Sequence, residues 1–249
     1  MSSVTVLGGQ QADPGHGFRL IELKNGLLVT YDDGVYKTEL FGFVHGGTIK
    51  LPAEHTHFGI VVDGSIEVIT GERIRSLESG DFFSVQGAAI IESSGRGMVN
   101  SAFGYKGFNV VGGPVEDVGR LKYIDGCTDT LLVPPVRLGD PCFNHLHFPP
   151  GITQTPHTHP SVRTGVVLRG SGVCRMPNDE RKVHELVPGY AFIIKTEALH
   201  SFDTKESHLD IIAFHPDSDT GMTDDNHPMV NRTMVGGISA SKLGAIRTK

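Results

Sequence analysis

The sequence is poor in several features that mark particular classes of protein. Its 249 residues include only three cysteines, which are Cys127, Cys142 and Cys174, and they form no Cys-x-x-Cys pair. A small, odd and scattered set of thiols favours reduced cysteines in a cytoplasm over a disulfide framework. No stretch approaches about eighteen consecutive apolar residues, so we expect no transmembrane helix and no membrane partner.

Positive charge is also scarce. The 22 Lys and Arg residues are outnumbered by 28 Asp and Glu, the formal net charge is −6, and the basic residues form no cluster. Proteins that bind nucleic acid normally carry a basic patch, so we expect no nucleic-acid partner. The first residues lack a basic segment followed by a long apolar core, which predicts no secretory signal and favours a cytoplasmic location.

Glycine, proline and short apolar runs are abundant by contrast. The 32 glycines and 14 prolines separate runs rich in Val, Ile and Phe, a pattern typical of strands joined by tight turns. We therefore expect an all-β protein of one large domain or two domains of ordinary size. A short capped helix is predicted near the C-terminus, at Ser239 to Ile246. The polar segment from His215 to Pro228 is predicted to be a solvated loop or a lid.

One order of features occurs twice, at an offset of roughly 100 to 110 residues, which is the size of a domain. In chain order the repeated pairs are His55-Thr-His57 with His157-Thr-His159, Gly64 with Gly170, and Ser79-Gly80 with Pro188-Gly189. An internal duplication is the simplest account. We place the boundary between the two halves near residues 112–119, which gives domains 1–118 and 119–249.

The histidine-rich stretch at residues 156–163 carries the strongest functional signal. Read as a strand, it puts His157, His159 and Arg163 on one face, because side chains alternate with period two. Two imidazoles at this spacing can bind one metal ion from one side, and His200 from a neighbouring strand would be a third ligand. Buried histidines bonded to backbone groups are the alternative, but they leave the matched spacing unexplained.

The spacing of these residues resembles that of a known family. The first run reads His157-x-His159-x3-Arg163-x6-Gly170, and the second reads Gly189-x10-His200. These runs resemble the two motifs of the cupin superfamily. The resemblance implies a bicupin, with two tandem double-stranded β-helix (jelly-roll) barrels and a metal ion held by His157, His159 and His200.

The sequence departs from the family pattern at three positions. Arg163 stands where the family usually has a glutamate, and Lys195 and Glu197 replace its usual proline and second glycine. Sites of three histidines without the glutamate resemble those of thiol and β-diketone dioxygenases. The resemblance therefore implies an iron(II) dioxygenase that acts on a small oxygenated anionic substrate. The alternative metals are zinc, nickel, manganese and copper. The alternative functions are a Lewis-acid isomerase, lyase or decarboxylase, and a non-catalytic binding protein.

Three further residues are candidates for a catalytic role. A guanidinium cannot ligate a cation, so we expect Arg163 to clamp a substrate anion; a salt bridge to Glu185 or Glu197 is the alternative. His145 and His147 lie on the preceding strand and are candidates for a general base or hydrogen-bond donor. They face the other way in the alternative arrangement, packed against the first barrel or a second subunit, and a homodimer remains open.

The first half of the chain offers only two histidines at the corresponding motif. Aligning the halves by their turn glycines puts His57 at the position of Arg163, and Ile91 stands where a third ligand would be required. We therefore expect about one metal ion per chain, in the second barrel, because two imidazoles make a weak site. His55 and His57 are expected to be a structural or pocket pair.

Overall fold

The computed structural model describes residues 3–5, 17–178 and 183–248, and strands dominate it. The strands before residue 113 are β1 (Ser3–Thr5), β2 (Phe18–Glu22), β3 (Gly26–Asp32), β4 (Lys37–Phe43), β5 (Gly47–Leu51), β6 (His55–Asp63), β7 (Ser65–Thr70), β8 (Arg73–Glu78), β9 (Phe82–Gln86), β10 (Ala89–Ser93), β11 (Arg96–Phe103) and β12 (Val110–Gly112). The later strands are β13 (Leu121–Lys122), β14 (Thr128–Val133), β15 (Cys142–Phe148), β16 (Arg163–Gly170), β17 (Gly172–Arg175), β18 (Val183–Leu186), β19 (Tyr190–Ile194), β20 (Ser201–Asp203), β21 (Leu209–His215), β22 (Met234–Val235) and β23 (Ile238–Ser239). The expectation of an all-β protein is confirmed.

Helical structure in the described ranges is confined to two short segments near the C-terminus. The predicted C-terminal helix is only a 3-10 turn at Ala240–Lys242, capped by the Ser239 hydroxyl, which accepts a hydrogen bond from the Ser241 N–H. The sequence did not predict α1 (Pro228–Arg232), which begins at a proline. Neither segment is long and apolar enough to span a membrane.

The two halves of the chain form sheets with the same order of strands. The first large sheet is ordered β1-β3-β4-β11-β6-β9-β12, and the second is ordered β13-β14-β15-β21-β16-β19-β2. Each large sheet is accompanied by a smaller one from the same half, β5-β10-β7-β8 in the first and β18-β17-β20 in the second. The repeated order of strands agrees with an internal duplication.

A glycine opposite a phenylalanine marks the same place in both large sheets. Gly59 pairs with Phe83 across β6 and β9, and Gly165 pairs with Phe192 across β16 and β19. A Cβ on either glycine would lie 2.3 Å from Cζ of the facing phenylalanine ring. Only a residue without a side chain leaves room for the ring. The number of residues between Gly59 and Gly165 equals the number between the turn glycines Gly64 and Gly170. The structure therefore supports the alignment of the two halves by their turn glycines, which puts His57 at the position of Arg163.

One edge strand comes from the opposite half of the chain. Strand β2 pairs with β19 from Phe18 opposite Ile194 to Glu22 opposite Tyr190. In the first large sheet, β12 occupies the same edge beside β9. Phe18 is buried in the core of the second half. The predicted division at residue 118 therefore leaves one strand of the second sheet in the first segment.

The two large sheets pack against each other through a shared apolar core. The Phe58 ring lies 6.3 Å from the Phe143 ring and 5.2 Å from the Phe214 ring, measured between centroids. Neighbouring residues on the same strands point the opposite way, because side chains alternate across a sheet. They enter two separate clusters, one between each large sheet and its small partner.

A buried hydrogen bond crosses the interface between the large sheets. Thr164 Oγ1 donates to Asn100 Oδ1 over 2.5 Å. Both residues are almost completely buried, with 1% of Thr164 and none of Asn100 exposed. Each group would be left without a partner in an apolar interface if the other were removed, so the bond contributes to stability.

We predict that Thr164→Val destabilises the protein. Valine keeps the side-chain volume but leaves Asn100 Oδ1 unpaired, so the free energy of unfolding should fall by about 1–3 kcal/mol. Urea denaturation measures this change. Thr48→Val, on the exposed face of β5, is the matched control and should change stability by less than about 0.5 kcal/mol. Equal stability of Thr164→Val and the wild type would contradict the prediction.

Candidate metal centre

The three histidines that the spacing predicts as ligands lie together in the second half of the protein. Nitrogens of His157, His159 and His200 all lie within 4.8 Å of one another. The ring centroid of His200 is 4.6 Å from that of His157 and 5.1 Å from that of His159. The His157 N–H donates to the His200 carbonyl over 2.9 Å, and the His200 N–H donates to the His157 carbonyl over 3.0 Å. This backbone bridge joins the two sequence motifs.

The stretch at residues 156–163 is not the regular strand that the alternating pattern predicts. Strand β16 begins only at Arg163, and His157 forms an isolated bridge with His200 instead. Pro156 and Pro160 have no N–H to donate to a ladder, which disfavours a continuous strand here. The bridge, and not a pleated strand, therefore brings the first two imidazoles to the third.

Backbone carbonyls determine which ring nitrogen of two of these histidines is free. Nδ1 of His200 lies 2.8 Å from the carbonyl oxygen of Ala198, and Nδ1 of His157 lies 3.2 Å from that of Thr155. A carbonyl only accepts hydrogen bonds, so each Nδ1 carries the proton and each Nε2 carries a lone pair. Nε2 of His200 is buried and has no hydrogen-bond partner within the described ranges. An orphaned lone pair of this kind fits a metal ion.

Burial keeps the imidazoles of His159 and His200 neutral. It lowers the pKa of His200 to about 4. Burial, followed by the nearby Arg163 guanidinium, lowers the pKa of His159 to about 2. Both rings are therefore uncharged at neutral pH, which is the state that a metal ligand requires.

A cavity of about 80 Å³ is lined by His157 and His159, two of the three histidines. The sequence analysis did not single out several of the polar side chains in its wall, namely Tyr123, Asp129, Asn144, Gln154 and His215. The ring centroid of His215 is 6.1 Å from that of His159, and burial lowers the pKa of His215 well below its usual range. Alternation along β15 and β21 would have identified Asn144 and His215 if the inward face of each strand had been known.

Arg163 lines the same cavity and already has an acidic partner. Its Nη1 donates to Asp217 Oδ1 over 3.0 Å, while its Nε is buried without a hydrogen-bond partner in the described part of the chain. Ser161 also donates to the Asp217 carboxylate. The sequence suggested Glu185 or Glu197 as the salt-bridge partner of Arg163. The observed partner is instead Asp217, which lies in the segment predicted to be a loop or lid. The guanidinium is thus paired through Nη1 and retains a free donor at Nε.

His145 and His147 are not brought into this cavity. Asn144 and Leu146 of β15 line it, so alternation turns the two histidines toward the first large sheet. There, His145 Nε2 and His147 Nδ1 lie 3.0 and 2.7 Å from the same atom, Asp210 Oδ1. His145 and His147 therefore pack against the first half of the protein, which is the alternative arrangement given above. This geometry does not support a catalytic role for them beside the three histidines.

The corresponding place in the first half is filled with apolar side chains. Leu51 and Ala89, which pair there as His157 and His200 do in the second half, are buried in one cluster with Ile91. No group of three potential ligands occurs in the described residues of this half. The ring of His57 is also buried, with Nδ1 2.7 Å from Ser101 Oγ and Nε2 2.9 Å from the Pro52 carbonyl oxygen. Burial lowers the pKa of His57 to about 4. These contacts agree with a structural role for His57.

We predict that metal binding depends on the second half alone. His200→Ala removes a ligand, so metal affinity should fall by about 100-fold or more, whereas His57→Ala should keep the metal content of the wild type. Elemental analysis after dialysis, together with titration by a divalent ion, measures both variants. Two equivalents of metal per chain, or loss of metal only in His57→Ala, would be incompatible with this assignment.

Comparison with known proteins bears on the fold. No family model matches the sequence, and no curated protein matches it. Among solved structures, a putative glyoxylate induced protein from Pseudomonas aeruginosa matches with a TM-score of 0.60 and 13% identity, over 89% of this chain and 98% of that one. A cupin 2 conserved barrel domain protein from Leptotrichia buccalis matches with a TM-score of 0.54 and 13% identity, over 84% of this chain and 91% of that one.

An enzyme is also among the matching structures. Salicylate 1,2-dioxygenase from Pseudoaminobacter salicylatoxidans has a TM-score of 0.54 and 11% identity to this chain, over 73% of this chain and 68% of that one. At sequence identities this low, the structural similarity is evidence for the fold alone. Together with the histidine motifs and the strand order, these similarities show that the chain has the fold of the cupin superfamily.

Proposed function

We propose that this chain is a metal-dependent bicupin enzyme whose second barrel transforms a small, oxygenated, anionic organic molecule. The observation that carries the proposal is the convergence of His157, His159 and His200 beside a cavity. The set contains no carboxylate, so a bound ion would keep its full charge and attract an anionic ligand.

Iron(II) is the metal that we favour, although zinc, nickel, manganese and copper accept the same imidazole ligands. When bound, iron(II) would supply redox chemistry with dioxygen, and any of these ions would supply Lewis-acid chemistry. One structural neighbour is named as a salicylate dioxygenase. That similarity supports a dioxygenase as the first candidate, ahead of a Lewis-acid isomerase, lyase or decarboxylase and of a non-catalytic binding protein.

The chain's own residues would bind and orient the substrate. Arg163 would donate its free Nε–H to the substrate anion while Asp217 keeps the guanidinium in place. Phe148, Phe192 and Phe202 line the cavity and would exclude water, which strengthens charge interactions there. His145 and His147 have no part in this proposal, because they face the first large sheet.

The proposal is tested with protein loaded anaerobically with iron(II). An oxygen electrode and product analysis follow its reaction with a panel of small hydroxy and keto acids that includes salicylate. We expect oxygen uptake that matches substrate loss for at least one acid and is absent in His200→Ala. Product without oxygen uptake would favour the Lewis-acid candidates, and binding without turnover would favour a binding protein. A fully loaded protein that neither binds nor converts any acid would refute the proposal.

We predict that Arg163→Lys lowers kcat/KM and leaves metal content unchanged. Lysine keeps a positive charge for Asp217 but loses the free Nε–H. The lost contact to a substrate anion should cost about 2 kcal/mol or more, which is roughly a 30-fold loss or greater. Arg169→Lys is the matched control, since Arg169 pairs with Asp210 and Asp117 outside the cavity. A kcat/KM equal to that of the wild type in metal-loaded Arg163→Lys would refute the hypothesis that Arg163 clamps the substrate.

A further inference from the structure

Two buried oxygen atoms in the wall of the metal cavity have no hydrogen-bond donor within the described ranges. They are Asp129 Oδ1 and Asn144 Oδ1, and both side chains line the cavity. Asp129 lies opposite Leu146 in the pairing of β14 with β15, and Asn144 is two residues from Leu146 along β15. The two oxygens therefore belong to one wall. A carboxylate oxygen and an amide oxygen only accept hydrogen bonds.

The first barrel shows that the fold does not require an amide at this place. Phe41 pairs with Val99 in the first large sheet as Asn144 pairs with Ala213 in the second. Phe41 belongs to the buried apolar cluster of the first barrel. An apolar side chain at the position of Asn144 would thus satisfy the packing and would avoid burying an unpaired polar atom.

Asp129 also lacks a cation in contact with it, in the part of the chain that the structure describes. Burial raises the pKa of this carboxyl to about 6, because it outweighs the favourable influence of His145 and of a hydrogen bond from the Thr130 backbone N–H. The buried Asp210 carboxylate differs, since Arg169 Nε donates to its Oδ2 over 2.8 Å and two histidines contact its Oδ1. Asp129 is therefore the acidic side chain in this wall that is left for a ligand to pair with.

We infer that the molecule bound in this cavity is a small acid that also carries hydroxyl or amino hydrogens, which it donates to Asp129 Oδ1 and Asn144 Oδ1. The inference rests on the proposed function, in which the three histidines and Arg163 take the anionic end. An acid of the same size without these hydrogens leaves both buried oxygens unpaired, so the cavity discriminates against it.

A matched pair of probes tests this inference by binding to cobalt(II)-loaded protein. Glycerate (2,3-dihydroxypropanoate) carries a 3-hydroxyl hydrogen, whereas 3-fluoro-2-hydroxypropanoate has a fluorine of similar size in its place and cannot donate there. The change in the visible cobalt(II) spectrum measures the dissociation constant of each acid. We expect the wild type to bind glycerate about tenfold or more tightly than the fluoro acid. The ratio should fall to about twofold or less in Asp129→Leu, whereas Asp117→Leu, at an exposed aspartate outside the cavity, should keep it.

A second measurement needs no ligand. If Asn144 is kept for a ligand, its replacement by leucine should stabilise the free protein, and the melting temperature should rise by about 2–4 °C. Asp129→Leu should raise the melting temperature as well. Asp210→Asn is the control, because it weakens a buried carboxylate that has partners and should lower the melting temperature.

The outcomes separate this inference from the proposed function. Equal binding of the two acids, binding of neither by metal-loaded protein, or a persistent ratio in Asp129→Leu would overturn the inference. A lower melting temperature in both leucine variants would also overturn it, since it would show that the two oxygens have structural partners. Failure to take up metal would instead count against the proposed function, and the melting temperatures would still decide the inference.

Discussion

The central strands of the two large sheets must bury both of their faces, and this constraint organises the molecule. One face of each sheet packs against the other large sheet, and the opposite face packs against a smaller sheet. Successive residues of a strand therefore enter different cores. In β6, Phe58 and Ile60 meet the second sheet, while Val61 enters the first barrel. In β16, Val166 meets the first sheet, while Arg163 and Gly165 face inward, with Gly165 opposite Phe192.

The two barrels use one scaffold in different ways. In the first barrel, Phe41, Leu51 and Ile91 fill the interior, so it is a packed core. In the second barrel, Asn144 and His200 replace apolar side chains, and the interior keeps a cavity. Polar atoms without partners are costly in a core and are retained where they serve binding or chemistry. The first barrel packs, through the shared core, against the large sheet of the second barrel that carries the residues of the candidate metal site.

The interface between the sheets also contains polar groups, and most of those named above have partners, although Nδ1 of His145 has none within the described ranges. Asp210 is contacted by two histidines and Arg169, and Thr164 is paired with Asn100. Around the cavity, three buried polar atoms lie close together without a partner in the described ranges, namely Asp129 Oδ1, Asn144 Oδ1 and Arg163 Nε. A network of satisfied groups supports packing, whereas unsatisfied groups around one cavity indicate a ligand.

The sequence by itself determined the all-β class, and it predicted the duplication and the grouping of the three histidines, because these follow from local patterns: period-two runs, turn glycines and motif spacing. It could not decide that His145 and His147 face the first sheet, since alternation defines two faces without saying which one is inward when both are buried. It could not place β2 beside β19, or Asp217 beside Arg163, because these contacts join residues far apart in the chain. Only the tertiary structure brought Asp129 and Asn144 to the histidines, since a polar side chain on a strand reveals its neighbours only after the sheets have packed.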